Sequence, residues 1–244
     1  MPATLTKPPR RSPSIPHQRS LANLKAVALD YDGTIAERGR MSASTEAALQ
    51  SLRSAGFRLI LVSGRRLENI QQICGALDLF DAVILENGAT AFCPATGTEQ
   101  LIAPPVDQRF VADLERELPG EPLFVGRAMV ATATENAGCV EVVIALGGYD
   151  LHIVGCGRRV LVLPKGVNKS SGLSHALASL GLRRNQVVAV GDEENDIELF
   201  RGCALTAAVG NATPTLKSAA DLILPGEHGQ SVQYLADMLL AGVA

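Results

Sequence analysis

The stretch AVALDYDGTI, residues 26–35, carries an apolar run into two aspartates two places apart, Asp30 and Asp32, followed by Gly33 and Thr34. In extended backbone, residues i and i+2 point to the same side. The two carboxylates therefore converge where the run stops, and like charges held together repel unless one is protonated or a cation lies between them. A plain D-G turn after a strand is the competing reading, and DYDGT alone leaves the two even. The run that leads in is continuous rather than alternating, as expected of a parallel strand buried on both faces.

Outward from this stretch the same rhythm repeats. SASTEAALQSLRSAG reads as a helix capped by Ser42 or Ser44 and stopped at Gly56, and FRLILVSG as a strand. RLENIQQICGAL reads as a helix, with Leu67, Ile70, Cys74 and Leu77 on one face, and DAVILENG as another strand. Later come KSSGLSHALASLG (helix), NQVVAVGD and CALTAAVGN (strands), a helix started by Thr213-Pro214, DLILPG (strand) and QSVQYLADMLLAG (helix). The two halves make one doubly wound, Rossmann-like α/β sheet of residues 21–90 and 164–244. Between them, residues 91–163 are longer than a crossover loop requires and read as an inserted α+β cap. Its expected elements are a helix in VDQRFVADLERELPG, a strand in PLFVGRAMVATAT, a helix in ENAGCVEVVIALGG, and a hairpin of DLHIVGC with RRVLVLP.

With 244 residues, 47% of them apolar, the chain can bury a large core. No apolar run is long enough to span a bilayer. The first twenty residues hold Lys7, Arg10, Arg11, Arg19 and five of the thirteen prolines, and no acid. They read as a disordered tail. An Arg- and Ser-rich start also suits an organelle transit peptide, but its prolines would break the amphipathic helix such a peptide needs. The remainder stands near −7, 18 basic residues against 25 acidic. That balance argues against nucleic acid or an anionic membrane as partner. Five scattered cysteines with no C-x-x-C pair suit reduced thiols, and a cytoplasmic location is expected.

Three further strand ends or helix starts carry chemistry that matches the aspartates. ILVSGRR puts Ser63 at a strand tip, where a hydroxyl followed by Gly64 suits a phosphate oxygen. AVGDEENDIELF puts Asp192 after an apolar strand, with Asn195 and Asp196 on the turn behind it. PKGVNKSSG puts Lys169 at a helix start, where ammonium, backbone N–H groups and dipole all favour an anion. In open α/β sheets the crevice beyond the strand carboxyl ends is the ligand site. Carboxylate oxygens beside a phosphate make Mg²⁺ the natural cation.

D-x-D-G-T, the strand-ending Ser-Gly, the later Lys and G-D-x-x-N-D, in this order, resemble the four motifs of the haloacid dehalogenase superfamily. The place of the insertion, with ENGA at 86–89 and GVNK at 166–169, is similar to the Cof-like subfamily IIB phosphatases with compact caps. The resemblance covers about residues 24–240 and shows no departure at a motif position; Ser63 stands where Thr is commoner, with the same hydroxyl. It implies a phosphatase for a small phosphorylated metabolite, phosphoglycolate or a sugar phosphate. In that reading Asp30 is the nucleophile that forms an aspartyl-phosphate, and Asp32 protonates the leaving alkoxide and then activates water. Asp30, the backbone carbonyl of Asp32 and Asp192 hold Mg²⁺. Ser63, Gly64, Lys169 and Asn195 hold the phosphoryl group, and Asp196 orients Lys169. Asn87 and Arg127 are expected to line the substrate pocket, although a tight turn and a surface arginine account for them equally well.

A dehalogenase would not need the proton that Asp32 supplies, and a phosphotransfer receiver domain would not carry an insertion of this size. A non-catalytic scaffold would have no use for the full set of reactive groups. A phosphomutase or other phosphotransferase with the same core chemistry stays open as the alternative.

Overall fold

The structure, a computed structural model, describes residues 23–243, so the N-terminal tail lies outside the described residues. An eight-stranded sheet runs, in order across it, through Leu222–Ile223, Leu205–Ala208, Val187–Gly191, Ala26–Asp30, Arg58–Val62, Ala82–Leu85, Thr90–Cys93 and Thr98–Leu101. Its first strand is β1 (Ala26–Asp30), all five residues buried. A two-stranded flap, β2 (Ala36–Glu37) with β3 (Arg40–Met41), precedes α1 (Ala43–Ser54), whose N-cap is the Ser42 side chain. Then follow β4 (Arg58–Val62), α2 (Leu67–Ile73) and β5 (Ala82–Leu85). The expected helix through Leu77 stops at Ile73, and Leu77–Leu79 form a separate 3₁₀ turn. Gly75 interrupts the pattern there, since a glycine weakens a helix interior.

β6 (Thr90–Cys93) and β7 (Thr98–Leu101) pair antiparallel with β5 and with each other. The boundary expected at residue 91 therefore falls later: residues 91–101 extend the large sheet and are not part of the cap. Their backbone groups complete the edge of β5, which would otherwise be open.

The cap contains α3 (Gln108–Glu117), β8 (Phe124–Val125), β9 (Val130–Ala133), α4 (Ala137–Gly147), β10 (Leu151–Cys156) and β11 (Arg159–Pro164). Its antiparallel sheet has the order β10-β11-β9-β8. The single strand expected across 122–134 is instead the β8–β9 hairpin, closed by Gly126 N–H donating to the Met129 carbonyl at 2.7 Å. Phe110, Val111, Leu114, Val130, Val140, Val143 and Val162 form the cap's own core.

The chain returns through α5 (Lys169–Leu180), β12 (Val187–Gly191), α6 (Ile197–Phe200), β13 (Leu205–Ala208), α7 (Pro214–Ala219), β14 (Leu222–Ile223) and α8 (Gly229–Val243). α1 packs beside α8 and α5 beside α6, and strands β1 and β12 are buried along their whole length. Both faces of the sheet are therefore covered. From β1 the chain builds outward on one side through β4 and β5 and later on the other through β12 and β13. Order reverses beside β1, so the crevice of a doubly wound sheet opens where Asp30 ends its strand. No helix among the described residues is long and apolar enough to cross a membrane.

Candidate active site

Four chain segments meet at this crevice. Asp30 is the last residue of β1 and is 5% exposed. Ser63 follows β4 and is buried, its Oγ accepting from the Arg65 N–H at 3.2 Å. Lys169 opens α5, behind a capping box in which Asn168 Oδ1 accepts from Ser171 N–H and Ser171 Oγ from Asn168 N–H. Asp192 follows β12, and Asp196 ends the 3₁₀ turn Glu194–Asp196.

Lys169 Nζ donates to Asp30 Oδ1 at 2.6 Å and to Asp196 Oδ1 at 2.7 Å. Asp196 Oδ2 accepts from the N–H groups of Asp192 and Glu193. Asp192 Oδ1 accepts from the Thr34 hydroxyl at 2.9 Å. Gly33 adopts φ +79°, and a Cβ there would collide with the Asp192 carboxylate, so this position combines a left-handed backbone with a close approach.

Carboxylate oxygens of Asp30, Asp192 and Asp196 lie within 4.8 Å of one another. One ammonium faces three carboxylates, so the cluster is short of positive charge. Burial, with Lys169 only partly offsetting it, pushes Asp30 well above the usual carboxylate range. Burial and then the neighbouring Asp196 push Asp192 up to about 7. Burial disfavours charge on Lys169, but Asp196 and Asp30 outweigh it and keep the ammonium firmly protonated. The donor set is all oxygen, and a small divalent cation would offset the burial and the carboxylate repulsion that together raise Asp30 and Asp192. Asp196 is already engaged by Lys169 and two N–H groups. Asp30 and Asp192 thus fit a cation better than Asp196 does, and the Asp32 side chain is held elsewhere.

That side chain takes two bonds from Arg65, Nε to Oδ2 at 2.6 Å and Nη2 to Oδ1 at 2.7 Å. Asp30 and Asp32 are thus held apart by separate cations, Lys169 for the buried one and Arg65 for the half-exposed one.

A cavity of about 310 Å³ joins these groups to the cap. Asp30, Asp32, Ser63, Gly64, Lys169, Asp192 and Asn195 line its floor, and the Asn195 Oδ1 atom is buried without a partner. Phe124, Met129, Ala131, Cys156, Arg159 and Leu161 form the roof, with Arg65 and Arg66 between. Arg159 lies over the Phe124 ring at 4.3 Å. Among the described residues, neither Arg66 nor Arg159 pairs with a carboxylate; Arg66 donates to the Val125 carbonyl at 3.0 Å.

Two expected pocket residues lie elsewhere. The Arg127 guanidinium pairs with Glu99 at 2.9 Å on the surface, and Asn87 is buried outside the cavity, its N–H on the Ser63 carbonyl at 3.0 Å. Sequence reasoning missed Arg65, Arg66, Arg159 and Phe124. The doubled arginine of SGRR was the available signal for the first two; nothing local marks the others.

The family described as haloacid dehalogenase-like hydrolase matches residues 27–119 and 156–235. The phosphoglycolate phosphatase of Methanothermobacter thermautotrophicus is 28% identical over 214 residues, covering 86% of this chain and 96% of its own. Among solved structures, the Thermoplasma acidophilum protein 0175 superposes with a TM-score of 0.76 at 18% identity, over 89% of this chain and 98% of that one. A sugar phosphatase of haloacid dehalogenase subclass IIB superposes with a TM-score of 0.73 at 20% identity, over 90% and 100%. At these identities the structural likeness is one of fold.

Proposed function

The chain belongs to the haloacid dehalogenase-like hydrolases, and on that premise we propose that it is a Mg²⁺-dependent phosphatase for a small phosphorylated carboxylate, phosphoglycolate being the best candidate. The observation that carries the reading is the buried Asp30–Lys169–Asp196 arrangement beside Ser63 and the unpartnered Asn195, at the floor of a capped cavity. Phosphoryl transfer asks for charge neutralisation and alignment above all, and this floor supplies both.

Asp30 attacks phosphorus and carries the phosphoryl group as an acyl phosphate. Lys169 holds that carboxylate in line and faces the phosphoryl oxygens, with Asp196 fixing the ammonium. Ser63 Oγ–H and the Asn195 amide donate to the same oxygens, with the Gly64 backbone alongside. Asp32 gives a proton to the departing alkoxide and takes one from the water that cleaves the intermediate. Arg65 orients Asp32 and yields one of its oxygens to that proton. Asp30, Asp192 and the Asp32 backbone carbonyl would hold Mg²⁺, which when bound neutralises charge on the phosphoryl oxygens. The core is residues 23–101 and 164–243, and the cap, 102–163, covers the site and limits the substrate to a small molecule.

Two arginines of the cavity wall support this substrate class. Among the described residues Arg66 and Arg159 stand at the cavity without a carboxylate partner, as suits a substrate with an anion at the end away from phosphorus. The phosphoglycolate phosphatase of Methanothermobacter thermautotrophicus points the same way. The test is phosphate release from phosphoglycolate, glucose 6-phosphate and p-nitrophenyl phosphate, with Mg²⁺ and with excess EDTA. The expected result is Mg²⁺-dependent turnover with the highest kcat/KM on phosphoglycolate. Turnover in excess chelator would remove the metal, and a preference for the neutral sugar would remove the carboxylate.

A further inference from the structure

Where cap and core meet beside the crevice, two core carboxylates hold the cap by its backbone alone. Glu86 Oε1 accepts from the N–H of Arg127 and Oε2 from the N–H of Ala128, both at 2.9 Å. Glu193 Oε2 accepts from the N–H of Gly157 at 3.0 Å. The first pair seats the turn between β8 and β9, and the second seats the turn between β10 and β11.

Register places these turns at opposite ends of the cap sheet. Val130, at the start of β9, pairs with Val125, whereas Ala133, at its end, pairs with Arg159 at the start of β11. The cavity roof lies between them: Phe124 and Met129 next to the Glu86 contact, Cys156 and Arg159 next to the Glu193 contact.

The two contacts differ in kind. Glu86 is 2% exposed and its backbone is left-handed (φ +48°), as is that of Asn87 (φ +55°). Asparagine tolerates that conformation but glutamate does not, so at Glu86 the surrounding structure must impose it. A Cβ at Gly126 would stand 2.5 Å from Glu86 Oε1, so the cap turn comes as close as a peptide without a side chain can. Burial raises the Glu86 pKa, and the N–H groups of Ala128 and Arg127 oppose it. Glu193, by contrast, is half-buried, and its bond to Gly157 is open to water.

We propose that Glu86 and Glu193 are positioning residues that seat the cap over the catalytic floor, Glu86 as a fixed pivot and Glu193 as the latch that opens to pass substrate and product. Water competes for the exposed Glu193 contact, so it breaks first; the Glu86 contact is the more buried of the two, its bond to the Ala128 N–H fully so. The cap then swings about the β8–β9 turn, and the passage forms beside Gly157. The activity arm of the test rests on the phosphatase reading above, whereas the exchange arm does not.

The experiment is residue-resolved amide hydrogen exchange on the full chain, with steady-state kinetics on p-nitrophenyl phosphate. Glu193→Ala should speed exchange at Gly157 about tenfold or more, leave Arg127 and Ala128 as protected as in wild type, and raise KM by a larger factor than it lowers kcat. Glu86→Gln keeps the shape but only one acceptor oxygen. It should speed exchange at Arg127 and Ala128 by at least about tenfold, with β1 and β12 still protected, and lower kcat/KM. If Glu86→Gln loosens β1 and β12 as much as the cap turn, Glu86 supports the fold and not the cap. Unchanged exchange at Gly157 in Glu193→Ala, or a loss confined to kcat, would overturn the latch. A wild type inactive on every phosphate ester would refute the phosphatase reading while leaving the exchange comparison to decide the seating.

Discussion

Lys169→Met replaces the one ammonium of the buried cluster by an apolar side chain of similar length. Lys169 is 2% exposed and within 2.7 Å of both Asp30 and Asp196. Removing one partner of a buried ion pair costs about 3–5 kcal/mol, because a charge is left without compensation. At roughly 2–4 °C per kcal/mol for a chain of this size, the melting temperature should fall by about 6–20 °C at pH 8. The loss has a definite pH dependence. Without the ammonium the folded pKa of Asp30, already raised by burial, rises further. A carboxyl whose folded pKa exceeds its unfolded one stabilises at low pH and loses that contribution as pH climbs through the folded value. Each unit of separation is worth about 1.4 kcal/mol per proton held. The gap between variant and wild type should therefore be smaller at pH 5 than at pH 8. Scanning calorimetry at the two pH values measures it. A melting temperature within about 3 °C of wild type at pH 8, or a gap that widens toward pH 5, would refute the argument that one ammonium is shared by two buried carboxylates.

Asp30→Asn should abolish turnover, since an amide cannot attack phosphorus; Asp32→Asn should cost alkyl esters more than aryl esters, whose leaving groups need less protonation, and phosphate release on both substrate types checks it. Gly33→Ala should lower both kcat and stability, by about 1–3 kcal/mol for the strained backbone alone, because its Cβ meets the Asp192 carboxylate; calorimetry with Mg²⁺ titration separates the two effects. Arg127→Ala should leave kcat/KM on every ester within about twofold of wild type and change stability by less than about 1 kcal/mol, because its guanidinium is spent on an exposed pair with Glu99. A selective loss on phosphoglycolate in that variant would put Arg127 back in the pocket.

The buried strands were legible because strands covered on both faces are continuously apolar; β1 ends in Asp30, and β4, β5 and β12 are each followed at once by a polar residue, Ser63, Glu86 and Asp192, where the crevice lies. The hairpin of β6 and β7 was not, because TAFC and TEQL are only half-buried and resemble the cap sequence that follows. PLFVGRAMVATAT hid its turn, since Gly126-Arg127-Ala128 carries none of the usual turn pairs. Ion pairing was legible only where motifs converge. The bond between Arg65 and Asp32 spans thirty-three positions and depends on β1 and β4 being neighbours. The choice between Arg127 and Arg159 as the arginine that meets the cavity depends on which residues form a turn and which a strand. Local pattern does not reveal that, so Arg127 was expected there and Arg159 was missed.

The two backbone contacts under the cap bear on how such a protein changes over generations. A carboxylate that grips peptide N–H groups is indifferent to the side chains around them, provided Gly126 stays small and the two turns keep their length. The exposed residues between those turns, Phe124 and Arg159, can then be exchanged with little loss of registry between roof and floor, whereas Met129, Ala131 and Leu161 are buried and bound by packing. Random libraries confined to positions 124 and 159 should hold a high fraction of folded members, and new substrate ranges should emerge from them without any change below the roof.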